Sequence, residues 1–146
     1  MRVVIQRVKQ ANVNINNAVQ AEIKQGLLIL VGIHKDDVFN DAVFLADKIL
    51  SLRIFPDQDK KMNLDIIAIK GSLLVVSQFT LYANTASGNR PDFLAAAPPE
   101  KAQKLYHDFL DRLKKGPVPV ASGVFGANMQ VELVNDGPVT IIMDSR

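Results

Sequence analysis

The chain has 146 residues, a formal net charge of +2 and no cysteine. That length holds one domain with a substantial core and is short for two, so residues 1–146 are expected to form a single domain. The missing cysteines exclude disulfides, thiolate zinc sites and a cysteine nucleophile. The small charge, without a basic block, argues against the broad cationic face with which proteins grip a duplex, so a nucleic-acid partner would be held at a small contact such as an exposed end.

Met1 to Arg7 alternates apolar and polar residues and lacks the apolar region and cleavage site of a signal peptide. It reads as a strand, Arg2 to Val8, and a cytoplasmic location is expected. The alternation returns in Val13 to Ile15 and Val19 to Ile23, across a turn at Asn16-Asn17. Gly26 to Ile33 is apolar without alternation, the pattern of a strand buried on both faces. It is far short of the ~20 residues that cross a membrane, so no membrane contact is expected. These opening strands should form an antiparallel meander.

Phe39, Ala42, Val43, Ala46, Ile49 and Leu50 then recur at helical spacing, with Asp36 or Asp37 as N-cap. Pro56 and the run Asp57 to Lys61 make a solvated turn. Gly71 leads into a second buried strand, Leu73 to Val76, which runs on into Ser77 to Leu81. From Tyr82 to Pro98 the pattern dissolves into small and polar residues, a long loop of the kind that needs a functional reason. Pro98-Pro99-Glu100 opens a second helix with the stripe Ala102, Leu105, Tyr106, Phe109, Leu110 and Leu113, stopped by Gly116-Pro117. Two closing strands, Met129 to Val134 and Val139 to Met143, flank Asn135-Asp136-Gly137-Pro138. The sum is a layered α+β domain, mostly antiparallel β-structure with two helices packed outside it.

Chemistry is harder to find. A hydrolase often uses a histidine base, but His107 falls off its helical stripe and reads as solvated, and His34 reads as a turn residue. A Ser-His-Asp triad assembles in space rather than in sequence, and nothing local marks one. There is no HExxH, EF-hand loop or His/carboxylate cluster, so neither metal nor cofactor is expected. Two segments stand out. Ser77-Gln78-Phe79-Thr80 follows a buried strand and either lines a pocket, with turning backbone N–H groups as an oxyanion hole, or continues the strand with Ser77 and Thr80 facing out. Asn135 to Pro138 either makes a tight hairpin turn, as Asp-Gly between strands suggests, or holds a cis Gly–Pro bond that aims two carbonyls in nearly the same direction.

Taken together and in order, several motifs resemble the D-aminoacyl-tRNA deacylase family, also called D-Tyr-tRNA deacylases. They are Met1 to Val8, Ala46 to Leu50 with Leu52 to Phe55, Lys61 to Leu64, the SQFTL run Ser77 to Leu81, Ala96 to Pro99, Phe125 to Val131 and Asn135 to Thr140. The resemblance spans essentially the whole chain. It implies mostly antiparallel sheets forming a barrel-like core with two main helices outside. It implies hydrolysis of D-aminoacyl-tRNA, and of glycyl-tRNA mischarged on tRNA-Ala, by a homodimer without metal or cofactor.

In that picture Gly137 and Pro138, with their bond cis, enter the partner's pocket and leave no room for the side chain of an L-aminoacyl group. Arg7 braces this loop. Ser77, Gln78, Phe79 and Thr80 form the catalytic pocket wall, and Phe125 and Met129 lie where the terminal adenosine of the tRNA 3′ end would sit. The family's chemistry is understood to use the tRNA's own ribose hydroxyl with main-chain groups; an older route makes Thr80 a nucleophile, which would need a base. Ala86-Ser87 and Asp92 depart from the family pattern, and fewer positive charges there would weaken the grip on tRNA phosphates. Two rivals remain: a module that binds the aminoacylated 3′ end without cleaving it, and a structural dimerisation domain.

Overall fold

The computed structural model describes residues 1–86 and 88–145; Ser87, which departs from the family pattern, lies outside the described residues. The expected strands Arg2 to Val8 and Val13 to Ile15 are one strand, β1 (Arg2–Ile15), which is the spine of the sheet. A turn with Asn16 and Asn17 at positive φ returns the chain as β2 (Ala18–Ile23), antiparallel to the far half of β1. β3 (Gly26–Gly32) pairs antiparallel with the near half. Asparagine tolerates this left-handed backbone and is a favoured residue at such hairpin turns.

The sheet also contains parallel strands, which the sequence pattern does not predict. α1 (Phe39–Leu50) carries the chain over one face, a small hairpin β4 (Phe55–Pro56) and β5 (Met62–Leu64) follows, and β6 (Ser72–Ser77) then pairs parallel with β3. α2 (Pro99–Lys114) repeats the crossover, and β7 (Val120–Ser122) pairs parallel with β6. β8 (Gln130–Asp144) closes the chain along the free edge of β1, and the sheet order is β2-β1-β3-β6-β7 with β8 beside β1. The sheet curls into the expected barrel-like core, both helices outside.

Burial explains the two unalternating runs. Leu27, Ile29, Val31, Leu73 and Val75 pack towards α1 and α2, whereas Leu28, Leu74 and Val76 pack with Val8, Ala11 and Val13 inside the curl. Both faces are dry, so both tolerate only apolar side chains. The stripe of α2 is buried residue for residue as its spacing predicts. Tyr106 is buried among it and its hydroxyl donates to the Val75 carbonyl at 3.0 Å.

The N-cap of α1 differs from expectation. Val38 occupies it, and Asp41 does the capping: its carboxylate accepts from the Val38 N–H at 2.8 Å, while its own N–H donates to the Val38 carbonyl. Asp37 is committed elsewhere, taking the buried Met1 amino group at 2.5 Å and the His34 N–H at 2.6 Å. Among the described residues, no helix is long and apolar enough to cross a membrane.

The two closing strands are also one, and the hairpin reading of Asn135 to Pro138 is overturned. Gln6 pairs with Thr140 and Val8 with Asn135, so Arg7 alone on β1 stands opposite Asp136 to Val139 on β8. A hairpin rule assumes that the flanking strands pair with each other; here both find the longer partner β1, and the surplus residues bulge. The Gly137–Pro138 bond is cis and Gly137 has φ +142°. A Cβ there would stand 2.7 Å from Val139 Cγ2 and 2.8 Å from the Val139 nitrogen, so only glycine fits. Asn135 closes the bulge across its neck, accepting the Val139 N–H at 2.8 Å. Arg7, buried at 8% exposure, fills the underside: Nε donates to the Asp136 carbonyl at 2.9 Å and Nη1 to the Ile54 carbonyl at 2.6 Å.

Two substitutions test these contacts. Arg7→Met leaves two carbonyls without their donor and should lower unfolding free energy by about 2–3 kcal/mol, read as a shift in the urea midpoint. Tyr106→Phe should cost about 1 kcal/mol near neutral pH. Burial raises the Tyr106 phenol well above its ordinary value. The folded state therefore favours the neutral form, and its contribution holds below the ordinary phenol pKa of about 10 and is lost as pH rises beyond it. The wild type should accordingly lose its advantage over Tyr106→Phe above pH ~10, in unfolding curves taken across that range.

Candidate active site

Three parallel strands end at the same edge of the sheet, and the segments that leave them form the walls of one cavity. Val31 and Ile33 come from the end of β3, Val76 to Phe79 from the end of β6, and Phe125 to Met129 from the chain beyond β7. Clefts outside the carboxyl ends of parallel strands are where α/β sheets bind ligands, because the loops there diverge. The start of α2 supplies Pro98, Pro99 and Ala102, and the loop before it Phe93, Leu94, Ala96 and Ala97. The volume is about 680 Å³, the size of a pocket for an extended small ligand.

None of the described residues lining this cavity has an ionisable side chain. Its polar groups are the Ser77 hydroxyl, the Gln78 and Asn128 amides and the main chain. Phe79 meets Phe93 edge-on, ring centres 4.9 Å apart, and is 58% exposed, while Leu94 is 80% exposed; together they make an apolar lip. On the opposite wall Phe125 rests against the buried Tyr106 ring at 5.7 Å.

Ser77 ends β6 and does not continue as a strand with Thr80. The backbone bends at Gln78, whose N–H donates to the Val31 carbonyl at 2.8 Å, and a 3₁₀ turn spans Phe79–Tyr82. The first N–H groups of a helical turn have no partner within it, so those of Phe79 and Thr80 are left over by this turn. Thr80 is exposed and does not line the cavity; its hydroxyl oxygen accepts from the Gln78 side-chain amide, which cannot remove a proton.

The structure thus gathers five of the expected site residues, Ser77, Gln78, Phe79, Phe125 and Met129, into one cavity and leaves four outside it. Arg7, Gly137 and Pro138 sit at the β8 bulge, with the glycine and proline exposed. His34 and His107 do not line the cavity. His34 instead bridges to Ala96 through its backbone and stacks its ring edge on Tyr82. Lining residues that sequence reasoning did not assign to the site include Phe93, Leu94, Asn128 and the small Ala96, Ala97, Ala102, Gly126 and Ala127. Phe93 and Leu94 fall in the long loop marked as needing a reason, Ala102 in the helical stripe, and the others in segments marked as motifs.

The family profile described as D-Tyr-tRNA(Tyr) deacylase matches residues 4–144. A D-aminoacyl-tRNA deacylase of Solibacter usitatus (strain Ellin6076) is 52% identical over 145 residues, covering 99% of this chain and 96% of that protein. One from Thermosipho africanus (strain TCF52B) is 51% identical over 146 residues, covering 100% and 98%. A solved structure described as the c-Myc DNA unwinding element binding protein superposes with a TM-score of 0.94 at 39% identity, covering 100% of this chain and 99% of that one. Another, of a probable eukaryotic D-amino acid tRNA deacylase, has a TM-score of 0.84 at 17% identity and shares the fold, covering 98% of each. A match of this extent, over a chain whose cavity gathers the SQFTL segment and the Phe125 to Met129 segment, places the protein in the D-Tyr-tRNA(Tyr) deacylase family.

Proposed function

We propose that this protein hydrolyses the ester that joins a D-amino acid to the 3′ end of tRNA, releasing the free amino acid. The observation that carries this reading is the cavity itself: a pocket of about 680 Å³ with hydroxyl, amide and main-chain groups and no ionisable side chain among its described lining residues. Such a site suits a substrate that is already activated. An aminoacyl ester needs orientation and stabilisation of its developing oxyanion more than a strong base, and fixed N–H donors supply the second. The names of the relatives at about half identity point the same way.

In this reading Ser77, Gln78, Phe79 and Thr80 hold the acyl end. The N–H groups of Phe79 and Thr80 donate to the carbonyl oxygen as it becomes an anion, and the terminal ribose hydroxyl of the tRNA assists the attacking water. Phe125 and Met129, on the opposite wall, pack against the terminal adenosine. The chain acts as a homodimer in which the exposed Gly137 and Pro138 of one copy enter the pocket of the other. This edge lies outside its own chain's cavity, and Arg7 stiffens it from beneath. It rejects L-aminoacyl groups by leaving their side chain no space, and admits D-residues and glycine, including glycine mischarged on tRNA-Ala.

The test is release of amino acid from D-Tyr-tRNA and L-Tyr-tRNA by the purified protein with EDTA present. Loss of the D-ester at least about 100-fold faster, a difference of ~2.7 kcal/mol, is expected. Loss of neither ester would leave a module that binds the aminoacylated end, and equal loss of both would remove Gly137 and Pro138 from the role of selector. Thr80→Ala should keep most of the rate under the substrate-assisted route; a fall of several orders of magnitude, the scale on which a lost nucleophile acts, would make Thr80 the nucleophile.

A further inference from the structure

The turn Phe79–Tyr82 is held from behind, outside the cavity it serves. It lies directly on Gly32, where a Cβ would stand 3.0 Å from Leu81 Cβ, 3.2 Å from the Gln78 carbonyl oxygen and 3.3 Å from Tyr82 Cδ2. Arg2 grips its trailing end. Nη1 donates to the Leu81 carbonyl at 3.3 Å, and the guanidinium carbon lies 5.4 Å from the Tyr82 ring centre, within cation–π reach. The His34 ring meets the same Tyr82 ring at 5.2 Å.

Asp144 sets the direction of that guanidinium. It accepts from Arg2 Nε at 2.8 Å and from Nη2 at 3.2 Å, and the two residues are partners across the β1–β8 ladder. Both side chains are 39% exposed, and exposed pairs of this kind add little to stability. The arrangement nevertheless uses what a guanidinium has and an ammonium lacks: a planar fork for the carboxylate, with a further N–H and a flat face left over for the turn.

We propose that Arg2, aimed by Asp144, is a positioning residue for deacylation, pinning the Leu81–Tyr82 end of the turn so that Gln78 and Phe79 keep their places in the cavity wall and Thr80 its place beside it. This role rests on the deacylase reading of the cavity. It gives the first and last strands a part in chemistry that occurs at the end of β6.

The test compares wild type with Arg2→Lys, Arg2→Met and Asp144→Asn, reading kcat and KM on D-Tyr-tRNA, the thermal midpoint, and hydrogen exchange of the amides between residues 78 and 84. The Leu81 and Ala83 N–H groups, which donate to Gln78 and Thr80 carbonyls, report the turn directly. Arg2→Met should lose about tenfold in kcat, with KM changed less than about twofold and the thermal midpoint near wild type. Its turn amides should exchange faster, with Arg2→Lys and Asp144→Asn falling between. Unchanged kcat and exchange would overturn the proposal. So would parallel losses of midpoint and both kinetic constants in all three variants, which would make the pair purely structural. If the wild type releases no D-tyrosine, the deacylase reading fails; unaltered turn exchange in Arg2→Met is the separate result that refutes the grip of Arg2 on the turn.

Discussion

Three strands running the same way fix where this protein can work. β3, β6 and β7 are parallel, and each is reached from the one before by a connection that contains a helix. Parallel neighbours cannot be joined by a tight turn, so α1 and α2 must cross over the sheet. A right-handed crossover puts both helices on one face, where they pack against each other and bury Leu27, Ile29, Leu73 and Val75 beneath them. The carboxyl ends of all three strands then meet at one edge. The segments that leave that edge have no ladder to follow, and the space between them is the cavity.

The chemistry of the walls is as informative as their position. An enzyme that must create a nucleophile or move a proton across a large pKa gap keeps an ionisable group within reach of the reacting atom. Here no ionisable side chain lines the cavity among the described residues: the Tyr106 hydroxyl donates to the Val75 carbonyl, and the His34 ring packs on Tyr82. A site with this composition favours a reaction whose driving force is already in the substrate. The binding energy it can offer comes from apolar contact with the lining, and its precision from hydroxyl, amide and main-chain groups.

Much of this was legible in the sequence, and the gaps have physical causes. The α2 stripe and the doubly buried runs of β3 and β6 could be read because burial dictates residue type position by position. Parallel pairing could not, because an apolar run looks the same whichever way its neighbour points. The bulge at Arg7 was hidden for a related reason. Asp136-Gly137 has the composition of a hairpin turn, and only the length of β1, which offers pairing on both sides of the bulge, shows that no hairpin forms. Asp37 has the residue type and place of a cap, yet its true partner is the amino group at the chain's start, 36 residues away. The SQFTL segment could be marked as unusual, yet its turn at Gln78 depends on a hydrogen bond to Val31 that no local pattern announces. Family resemblance, resting on motifs in order, reached further into the site than residue chemistry did.

The make-up of the cavity wall bears on how tightly it needs to bind. Ala96, Ala97, Pro98, Pro99, Ala102, Gly126 and Ala127 form a large part of it. Glycine, alanine and proline are the residue types that surrender no rotamer freedom when something is packed against them. A ligand that settles against these residues freezes no side-chain rotamer in them. This part of the wall cannot turn a side chain aside to welcome a misfit, whereas the exposed lip at Phe79 and Leu94 can. Discrimination by such a surface is a property of the resting protein, set before any substrate arrives, and a substrate held only moderately can still be sorted strictly.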